Sequence, residues 1–467
     1  MLFNSYPFLI LVTITMALYY LPWAKRYQVG VLIMASMVFY AYHNPALLLL
    51  LIVSIGINSV TSFLVVHHSS FNKKLVATAG VVSNLLILAF FKYSPLISAT
   101  FFYKNIGIGE FLISIPLPIG ISFYTFQGIS LLVDVYKKQD FETNNYIPKT
   151  FLQHAKNTTF FISFFPQLIA GPILKARDFL PQIETKRFSE INWEKAFKNL
   201  VLGYFLKMVV ADNLKDFTFW IEYPYFQEYK SIDLIMLLFG YSTQIFADFA
   251  GYSLIAIGLA GLFGYKLMDN FNFPYIASSF KDFWKRWHIS LSSFLMEYLY
   301  FPLGGNRKGQ TRTYINLFIV MALGGLWHGA AWSYMIWGFT HGIFLATERL
   351  LFDKLKIDSN RFKNIFYSIF VFTVVTFAWL LFKLPDFSHV LLYFKAMFSN
   401  ISISFSKALF LNIFMFSLPV YIYHFYALFT QHTKEKRIKY TYAAYAVMLF
   451  LIITNSGTSG AFIYFQF

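Results

Sequence analysis

The stretch GGLWHGAA, residues 324–331, lies inside an apolar segment that contains no Asp, Glu, Lys or Arg between Arg312 and Glu348. One straight helix over this segment would be about 50 Å long, at about 1.5 Å per residue. The hydrocarbon core of a bilayer is only about 30 Å thick. The chain must therefore break or turn, and glycine readily permits a break. We predict a break marked by these glycines, with His328 beside it.

Similar apolar runs recur along the whole chain and decide its class. Hydrophobic residues make up 57% of the sequence and charged residues 13%, whereas soluble domains are about 25% charged. Mean hydropathy is +0.55. An outer-membrane barrel would show short alternating segments instead. The sequence predicts an all-α polytopic membrane protein with about 11 to 13 transmembrane helices, some of them broken or re-entrant.

The net charge of +16 does not indicate nucleic acid, because the basic residues cluster in loops at the ends of apolar runs. Orientation bias and contact with anionic membrane lipid explain this pattern, and no nucleic-acid partner is expected. The chain has no cysteine. Disulfides, thiolate metal sites and a cysteine nucleophile are therefore excluded.

The loop charges also predict the orientation of both ends. The first apolar run, about residues 6–23, comes before Lys25 and Arg26, whereas a signal peptide carries its charge first. The run is therefore interpreted as a transmembrane helix with its N-terminus outside. A basic cluster at residues 434–439 precedes the last run, which predicts that the C-terminal tail emerges on the outer side.

That tail ends in FIYFQF, residues 462–467, with one phenol, Tyr464, among apolar residues. Two interpretations of Tyr464 follow from its position. It anchors the tail at the interface, as aromatic residues often do, or it carries an acyl group passed across the membrane.

The middle of the chain, about residues 120–350, is dense in Gly, Pro, Trp and polar residues at membrane depth. Irregular backbone is tolerated there only when it is buried in protein or lines a wet cavity. We interpret this part as the functional core and the ends as packing spans, with a last span and tail at about residues 440–467. No internal repeat is evident, which disfavours many transporter folds.

His328 is an ionisable group in membrane-like sequence, which makes it a functional candidate. The alternative is a neutral histidine that hydrogen-bonds to a carbonyl group. A neutral imidazole is also the state that a general base requires, so the sequence leaves both interpretations open.

A second candidate segment, residues 281–292, is predicted to be one amphipathic helix at the cytoplasmic surface. Helical spacing puts His288 on one face with Trp284 and Leu291. The alternatives are a lipid-surface helix, or a catalytic His288 beside basic side chains that bind donor phosphates. Those basic residues are Lys281, Lys285 and Arg286.

Metal binding is not expected, because His288 and His328 match no metal-ligand spacing. Two acids lie in apolar sequence, Asp134 and Asp248. Each is expected to pair with a Lys or Arg, or to hydrogen-bond a broken helix, in a structural role.

Several motifs together resemble the membrane-bound O-acyltransferase family, and most closely its polysaccharide branch, the alginate and peptidoglycan O-acetyltransferases. The resemblance covers about residues 120–345. Its motifs are SFYTFQ (122–127), FPQLIAGP (165–172), DFAGYS (248–253), NFNFPY (270–275), FWKRWHISLS (283–292), YLYFPLGGN (298–306) and GLWHG (325–329).

The resemblance implies a single acyltransferase domain over residues 1–467, shaped as a helical funnel with His328 at its narrow centre and His288 at the second active-site position. The tail looks like the aromatic C-terminal motif of this branch, with Tyr464 as acyl carrier. Acetyl-CoA would be a co-substrate, with no bound cofactor. A periplasmic SGNH-like O-acetyltransferase would be the partner, and the location would be a bacterial inner membrane with both termini periplasmic.

Three functions stay open from the sequence. The first is acetyl relay to a cell-envelope polysaccharide, with peptidoglycan favoured over alginate because heavy use of Lys, Phe, Ile and Asn hints at an AT-rich genome. The second is transfer of D-alanine or a lipid acyl group, although related D-alanylation systems take the aromatic motif from a separate protein. The third is a proton-coupled transporter that uses His328 and Asp248.

Overall fold

The computed structural model describes residues 1–42, 44–68, 70–103, 106–137, 147–169, 171–355, 361–430, 438–458, 460 and 462–463, without the side chains of 352–364 and 429–440. These residues are helical or irregular, and no strand occurs among them, which confirms the predicted all-α class. The α-helices in chain order are α1 Tyr6–Tyr19, α2 Gln28–Ala41, α3 Ala46–His67, α4 Lys73–Phe101, α5 Ile108–Ser114, α6 Ile121–Lys137, α7 Phe151–Ser163, α8 Ala176–Phe179, α9 Trp193–Tyr204, α10 Asp212–Thr218, α11 Ser231–Leu262, α12 Phe280–Arg286, α13 Ile289–Leu295, α14 Gly309–His328, α15 Trp332–Leu355, α16 Arg361–Lys383, α17 Phe387–Ser399, α18 Lys407–Thr430 and α19 Ile438–Thr454.

Short 3₁₀ and π-helical pieces join several of these helices. Among the described residues, two segments are π-helical, Phe205–Ala211 and Met296–Tyr300, and they follow α9 and α13 directly. The 3₁₀ turns are Pro22–Tyr27, Leu180–Gln182, Phe188–Glu190, Phe219–Ile221, Tyr225–Glu228 and Pro274–Ile276.

Five of the described helices are long and apolar enough to cross a membrane, namely α3, α4, α11, α16 and α18. The helices α1 and α2 reach that length only together, with a bend of 104° between them. Each of these two helices has 14 residues and is about 21 Å long, so neither can cross about 30 Å of hydrocarbon alone. The polytopic class is confirmed, while the larger expected number of spans stays a prediction.

By packing, the chain divides into two compact units. The first contains residues 1–197 and 255–268, and the second contains residues 198–254 and 269–467. In the first unit, α3 packs on α4, α6 and α7. Two buried amides join α3 to α4, because the Asn58 and Asn84 side chains donate to each other at 3.1 and 3.0 Å. The interpretation as one acyltransferase domain stays a prediction.

The second unit is organised around the antiparallel pair α14 and α15. A Cβ on Gly325 would collide with the carbonyl oxygen of Tyr334, and one on Gly338 with that of Met321. Glycine at these two positions therefore lets the helix backbones touch. The turn between the helices lies at residues 329–331, so the predicted break is confirmed. The glycines at 324 and 325 lie inside α14, however, and serve packing rather than the break.

Candidate active site

His328 is the last residue of α14, and Gly329 continues in extended conformation with φ of −163°. A Cβ at Gly329 would collide with the Tyr334 ring, so the turn requires a residue without a side chain there. The His328 ring is 3% exposed. It lies edge-on to Trp337 at 5.3 Å and to Phe382 at 5.2 Å between ring centroids. The break predicted from chain length thus ends a helix on a histidine enclosed by aromatic rings.

His288 lies at a second break, and the prediction of one amphipathic helix over residues 281–292 was wrong. The helix α12 ends at Arg286, and His288 adopts a left-handed backbone with φ of 43° before α13 begins at Ile289. A residue other than glycine adopts a left-handed backbone only when its surroundings support it. The neighbouring irregular segment at Asn270 supplies this support, since the Asn270 carbonyl accepts the Ile289 N–H at 2.9 Å.

The side chain of Asn270 orients the His288 ring. Its amide oxygen lies 3.1 Å from His288 Nδ1 and accepts from both the backbone N–H and the hydroxyl of Ser290, at 3.2 and 2.9 Å. Its amide nitrogen donates to Ser253 Oγ at 3.1 Å. Because the oxygen faces His288, Nδ1 must be the donor nitrogen. In the neutral ring the lone pair then lies on Nε2.

The two histidines meet inside the second unit. Their ring centroids are 6.2 Å apart, and the Trp327 ring lies 5.9 Å from His288 and 5.1 Å from His328. His288 is fully buried. At this separation one small acyl group can contact both rings. The structure therefore brings together two residues that the sequence singled out separately.

A cavity of about 420 Å³ leads to His328 from the protein surface. Lys281 and Lys285, both exposed, line it, and most of its remaining wall is apolar. Arg286 belongs to α12 but not to this wall. Its Nε donates to Asp282 at 2.9 Å and its Nη1 to the Asn272 carbonyl at 3.2 Å. Of the three predicted phosphate-binding side chains, the structure therefore places the two lysines at the cavity.

Glu348 holds the helix that carries these lysines. Its two carboxylate oxygens accept the N–H groups of Phe280 and Lys281, at 2.6 and 3.1 Å, at the start of α12. The Tyr367 hydroxyl donates to the same carboxylate at 3.2 Å. The first turn of a helix has N–H groups without intrahelical partners and favours negative charge. Sequence reasoning missed Glu348, because its partners come from a distant helix.

The start of the C-terminal aromatic motif is buried beside His288. The Phe462 ring stacks on Tyr252 at 4.5 Å and lies 5.8 Å from Phe249, whose ring meets His288 edge-on at 4.6 Å. The Ile463 N–H donates to Asp248 Oδ2 at 2.7 Å. Tyr464, the predicted acyl carrier, lies outside the described residues.

Asp248 belongs to a buried ionic cluster. Lys207 Nζ lies 2.7 Å from Asp248 and 2.8 Å from Asp212, and all three side chains are at most 8% exposed. The expected pairing of Asp248 with a basic residue is confirmed, although its tail contact was not foreseen. A cleft of about 580 Å³ is lined by this cluster and by Ile463. Asp134, the other predicted acid, is buried in the first unit.

Two further buried histidines in the second unit were missed by sequence reasoning. His341 lies 4.9 Å from the Trp337 ring and 5.1 Å from Trp284. His424 Nδ1 lies 2.8 Å from the Val420 carbonyl. No group of three or more His, Asp or Glu side chains suited to a metal occurs among the described residues.

Comparison with known proteins gives a consistent result. The family model for MBOAT, the membrane-bound O-acyltransferase family, matches residues 102–384. The probable alginate O-acetylase AlgI of Pseudomonas aeruginosa is 36% identical over 411 residues, which cover 85% of this chain and 75% of that protein. The peptidoglycan O-acetyltransferase of Helicobacter pylori is 36% identical over 397 residues, covering 78% and 73%. The teichoic acid D-alanyltransferase of Bacillus subtilis is 28% identical over 287 residues, covering 58% and 70%.

Proposed function

The chain belongs to the membrane-bound O-acyltransferase family, and we propose that it moves acetyl groups from cytoplasmic acetyl-CoA to the periplasm through an acetyl-tyrosine at Tyr464. One observation carries this proposal. The cavity reaches His328, while the tail residue Phe462 packs on the ring that contacts His288. The histidine pair thus lies between a candidate donor site and the tail that precedes Tyr464.

The donor site is the cavity lined by Lys281 and Lys285. Its volume falls within the range of about 300–1,000 Å³ that small-molecule sites occupy. Exposed lysines at its surface suit the phosphates of acetyl-CoA. Its apolar wall suits the pantetheine arm, and His328 stands where the thioester would arrive. Arg286 contributes by holding the end of α12 rather than by touching the donor.

In the proposed reaction, the Tyr464 oxygen attacks the thioester carbonyl while His328 accepts the phenolic proton. The carbon–oxygen bond forms and the carbon–sulfur bond breaks. The departing thiolate then takes the proton from His328, so that acetyl-tyrosine and free coenzyme A result. His288, whose ring Asn270 orients, contacts the thioester and holds its carbonyl group in position during attack.

A phenol suits this relay better than an aliphatic hydroxyl. The thiol of the donor has a pKa near about 8.5 and a tyrosine phenol near about 10, so acetyl transfer between them costs little free energy. Phenolate also leaves readily, which keeps the acetyl group reactive for the next step. The pKa of a phenol is still about 3.5 above that of an ordinary histidine. His328 therefore removes the proton together with the attack rather than before it.

The final acceptor is a cell-envelope polysaccharide, reached through a periplasmic SGNH-like O-acetyltransferase as partner. Relatives named for alginate and for peptidoglycan are equally similar, at 36% identity. The heavy use of Lys, Phe, Ile and Asn hints at an AT-rich genome, and for this reason we favour peptidoglycan as the acceptor. The protein resides in the bacterial inner membrane with both termini periplasmic. Acetyl-CoA is a co-substrate, and no bound cofactor takes part.

Two alternatives make different predictions. Transfer of D-alanine or of a lipid acyl group would use the same histidines with another donor. The aromatic motif within this chain argues against the D-alanine system, in which a separate protein supplies it. A proton-coupled transporter would need Asp248 to exchange protons, whereas Asp248 is engaged with Lys207 and the tail. Hydrolysis of acetyl-CoA by the purified protein distinguishes an enzyme from a transporter.

The decisive test is the variant Tyr464→Phe, which keeps the aromatic ring and removes only the hydroxyl group. The purified protein is incubated with acetyl-CoA without the partner, and the intact mass of the C-terminal peptide is measured. We expect an added acetyl group on the wild type and none on the variant. Polysaccharide acetylation in cells should also be lost. Full acetylation of the polymer by Tyr464→Phe would refute the relay.

A further inference from the structure

The buried cluster Lys207–Asp212–Asp248 is unusual because its hydrogen bonds are completed by the C-terminal tail. Each aspartate pairs with Lys207. Asp248 also accepts the Ile463 backbone N–H at 2.7 Å, and Asp212 receives a hydrogen bond from the backbone of Gly460. Buried charges must be paired and hydrogen-bonded to be tolerated. The tail backbone is thus part of what makes this cluster stable.

The helical segment that carries Lys207 also contacts the C-terminal tail, through its backbone. The chain is π-helical at Phe205–Ala211, and the Asp212 N–H bonds to the Lys207 carbonyl. In an α-helix that N–H would reach the Met208 carbonyl, four residues back. Here the Met208 carbonyl accepts the N–H of Gly457 instead, at 2.9 Å. Such single-turn π-bulges occur frequently at functional sites.

Two glycines allow the tail to approach this surface closely. A Cβ on Gly457 would lie 2.7 Å from the backbone nitrogen of Asn213, and one on Gly460 would lie 3.0 Å from Lys215 Nζ. The Asn213 side chain also donates to the Asn455 carbonyl at 3.0 Å. Backbone contacts therefore hold the described tail residues at 455, 457, 460 and 463 in place. The Phe462 ring adds a stacking contact with Tyr252.

From these contacts we infer that Lys207, Asp212 and Asp248 form a receptor for the backbone of the C-terminal tail and act as positioning residues for the acyl transfer. The inference rests on the proposed function for the purpose of the docked tail, while the docking itself can be measured separately. Because the receptor binds the backbone up to Ile463, it positions the following residue through the chain itself.

Docking can be followed with a single introduced cysteine, because the chain has none of its own. Ile463→Cys keeps the backbone N–H that Asp248 accepts, and the side chain at this position is 6% exposed. In this background the rate of maleimide labelling in detergent is compared with and without Asp248→Ala. Glu222→Gln is the matched control, since Glu222 pairs with Lys383 at 2.7 Å in the same cleft and no tail contact is recorded for it among the described residues.

We expect Asp248→Ala to speed labelling by about 10- to 100-fold, the factor associated with loss of a hydrogen bond to a charged group. Glu222→Gln should leave the rate unchanged. Gly457→Ala is a second variant, which displaces the tail by a collision with the Asp212–Asn213 backbone and keeps all three charged side chains. It should also speed labelling. If Asp248→Ala does not elute as a folded protein, Gly457→Ala alone tests the inference. Unchanged labelling in a folded Asp248→Ala or Gly457→Ala protein would overturn the inference.

The two proposals fail separately. Faster labelling in both variants, together with full activity of Tyr464→Phe, would keep the tail receptor and refute the acetyl-tyrosine. Unchanged labelling with loss of transfer in Tyr464→Phe would refute the receptor and keep the relay.

Discussion

Removal of the Asn270 side chain tests whether His288 takes part in catalysis through a fixed orientation. In Asn270→Ala, the His288 Nδ1–H loses the acceptor that lies 3.1 Å away. The Ser290 N–H and hydroxyl lose the same acceptor. The ring then loses its shorter Nδ1 contact, and the Ser290 hydroxyl at 3.4 Å is a weaker partner for the tautomer that keeps the lone pair on Nε2.

The size of the effect follows from burial. A buried donor left without its acceptor costs about 1–3 kcal/mol, which corresponds to about 5- to 150-fold in an equilibrium between ring orientations. We therefore expect kcat to fall by about 10- to 100-fold. The KM for acetyl-CoA should change by less than about threefold, since Asn270 does not line the cavity that we propose for the donor. The free energy of unfolding should fall by about 2–4 kcal/mol, because more than one donor is affected.

The assay is acetyl-CoA turnover by purified protein in detergent, normalised to the folded fraction from size-exclusion chromatography. Ser290→Ala is the matched control, since it removes one donor to Asn270 but keeps the Asn270–His288 contact. It should retain kcat within about threefold, as loss of a single neutral hydrogen bond implies. A folded Asn270→Ala protein with nearly normal kcat would refute the argument. An equal loss in both variants would refute it as well.

The remaining predictions concern the histidines and the donor cavity. His328→Ala should lower acetyl transfer by about 10²- to 10⁴-fold, as loss of a general base does, while the protein still inserts in the membrane; normal polysaccharide acetylation by a well-expressed variant would contradict this. His288→Ala should lower kcat far more than Lys281→Ala or Lys285→Ala, each of which should mainly raise the KM for acetyl-CoA; equal small losses at all three would favour a lipid-surface role. Glu348→Gln replaces one acceptor oxygen at the start of α12 by an amide group and should raise that KM by about tenfold with a smaller change in kcat; an unchanged KM would show that α12 does not hold the donor.

The length and hydropathy of the apolar segments were enough to predict part of the site. The segment between Arg312 and Glu348 is too long for one span, and it does form two helices with His328 at the break. The sequence could not distinguish Gly324 from Gly325. A Cβ on Gly325 meets a backbone carbonyl, whereas one on Gly324 would lie 3.0 Å from the flexible Leu295 side chain. This difference depends on the helix packed opposite, which no local pattern records.

The break at His288 shows the same limit more clearly. Residues 281–292 have the spacing of an amphipathic helix, and local propensity favours its continuation. Asn270 competes by accepting the Ile289 N–H and the donors of His288 and Ser290. Tertiary hydrogen bonds outweigh local preference here, as they routinely do for short helices. The residue type at 288 was predictable as a candidate, but its partner and its orientation were not.

The tail contacts bear on the choice between Tyr464 as an anchor and Tyr464 as an acyl carrier. If Tyr464 is an anchor, its ring serves to hold the tail in position. The described contacts already hold the tail by other means, through the Phe462 ring on Tyr252 and the Ile463 N–H on Asp248. Neither contact involves the phenolic hydroxyl group. Loss of acetyl transfer in Tyr464→Phe, with Ile463→Cys still labelled slowly in that variant, would therefore reflect chemistry at the hydroxyl rather than an undocked tail.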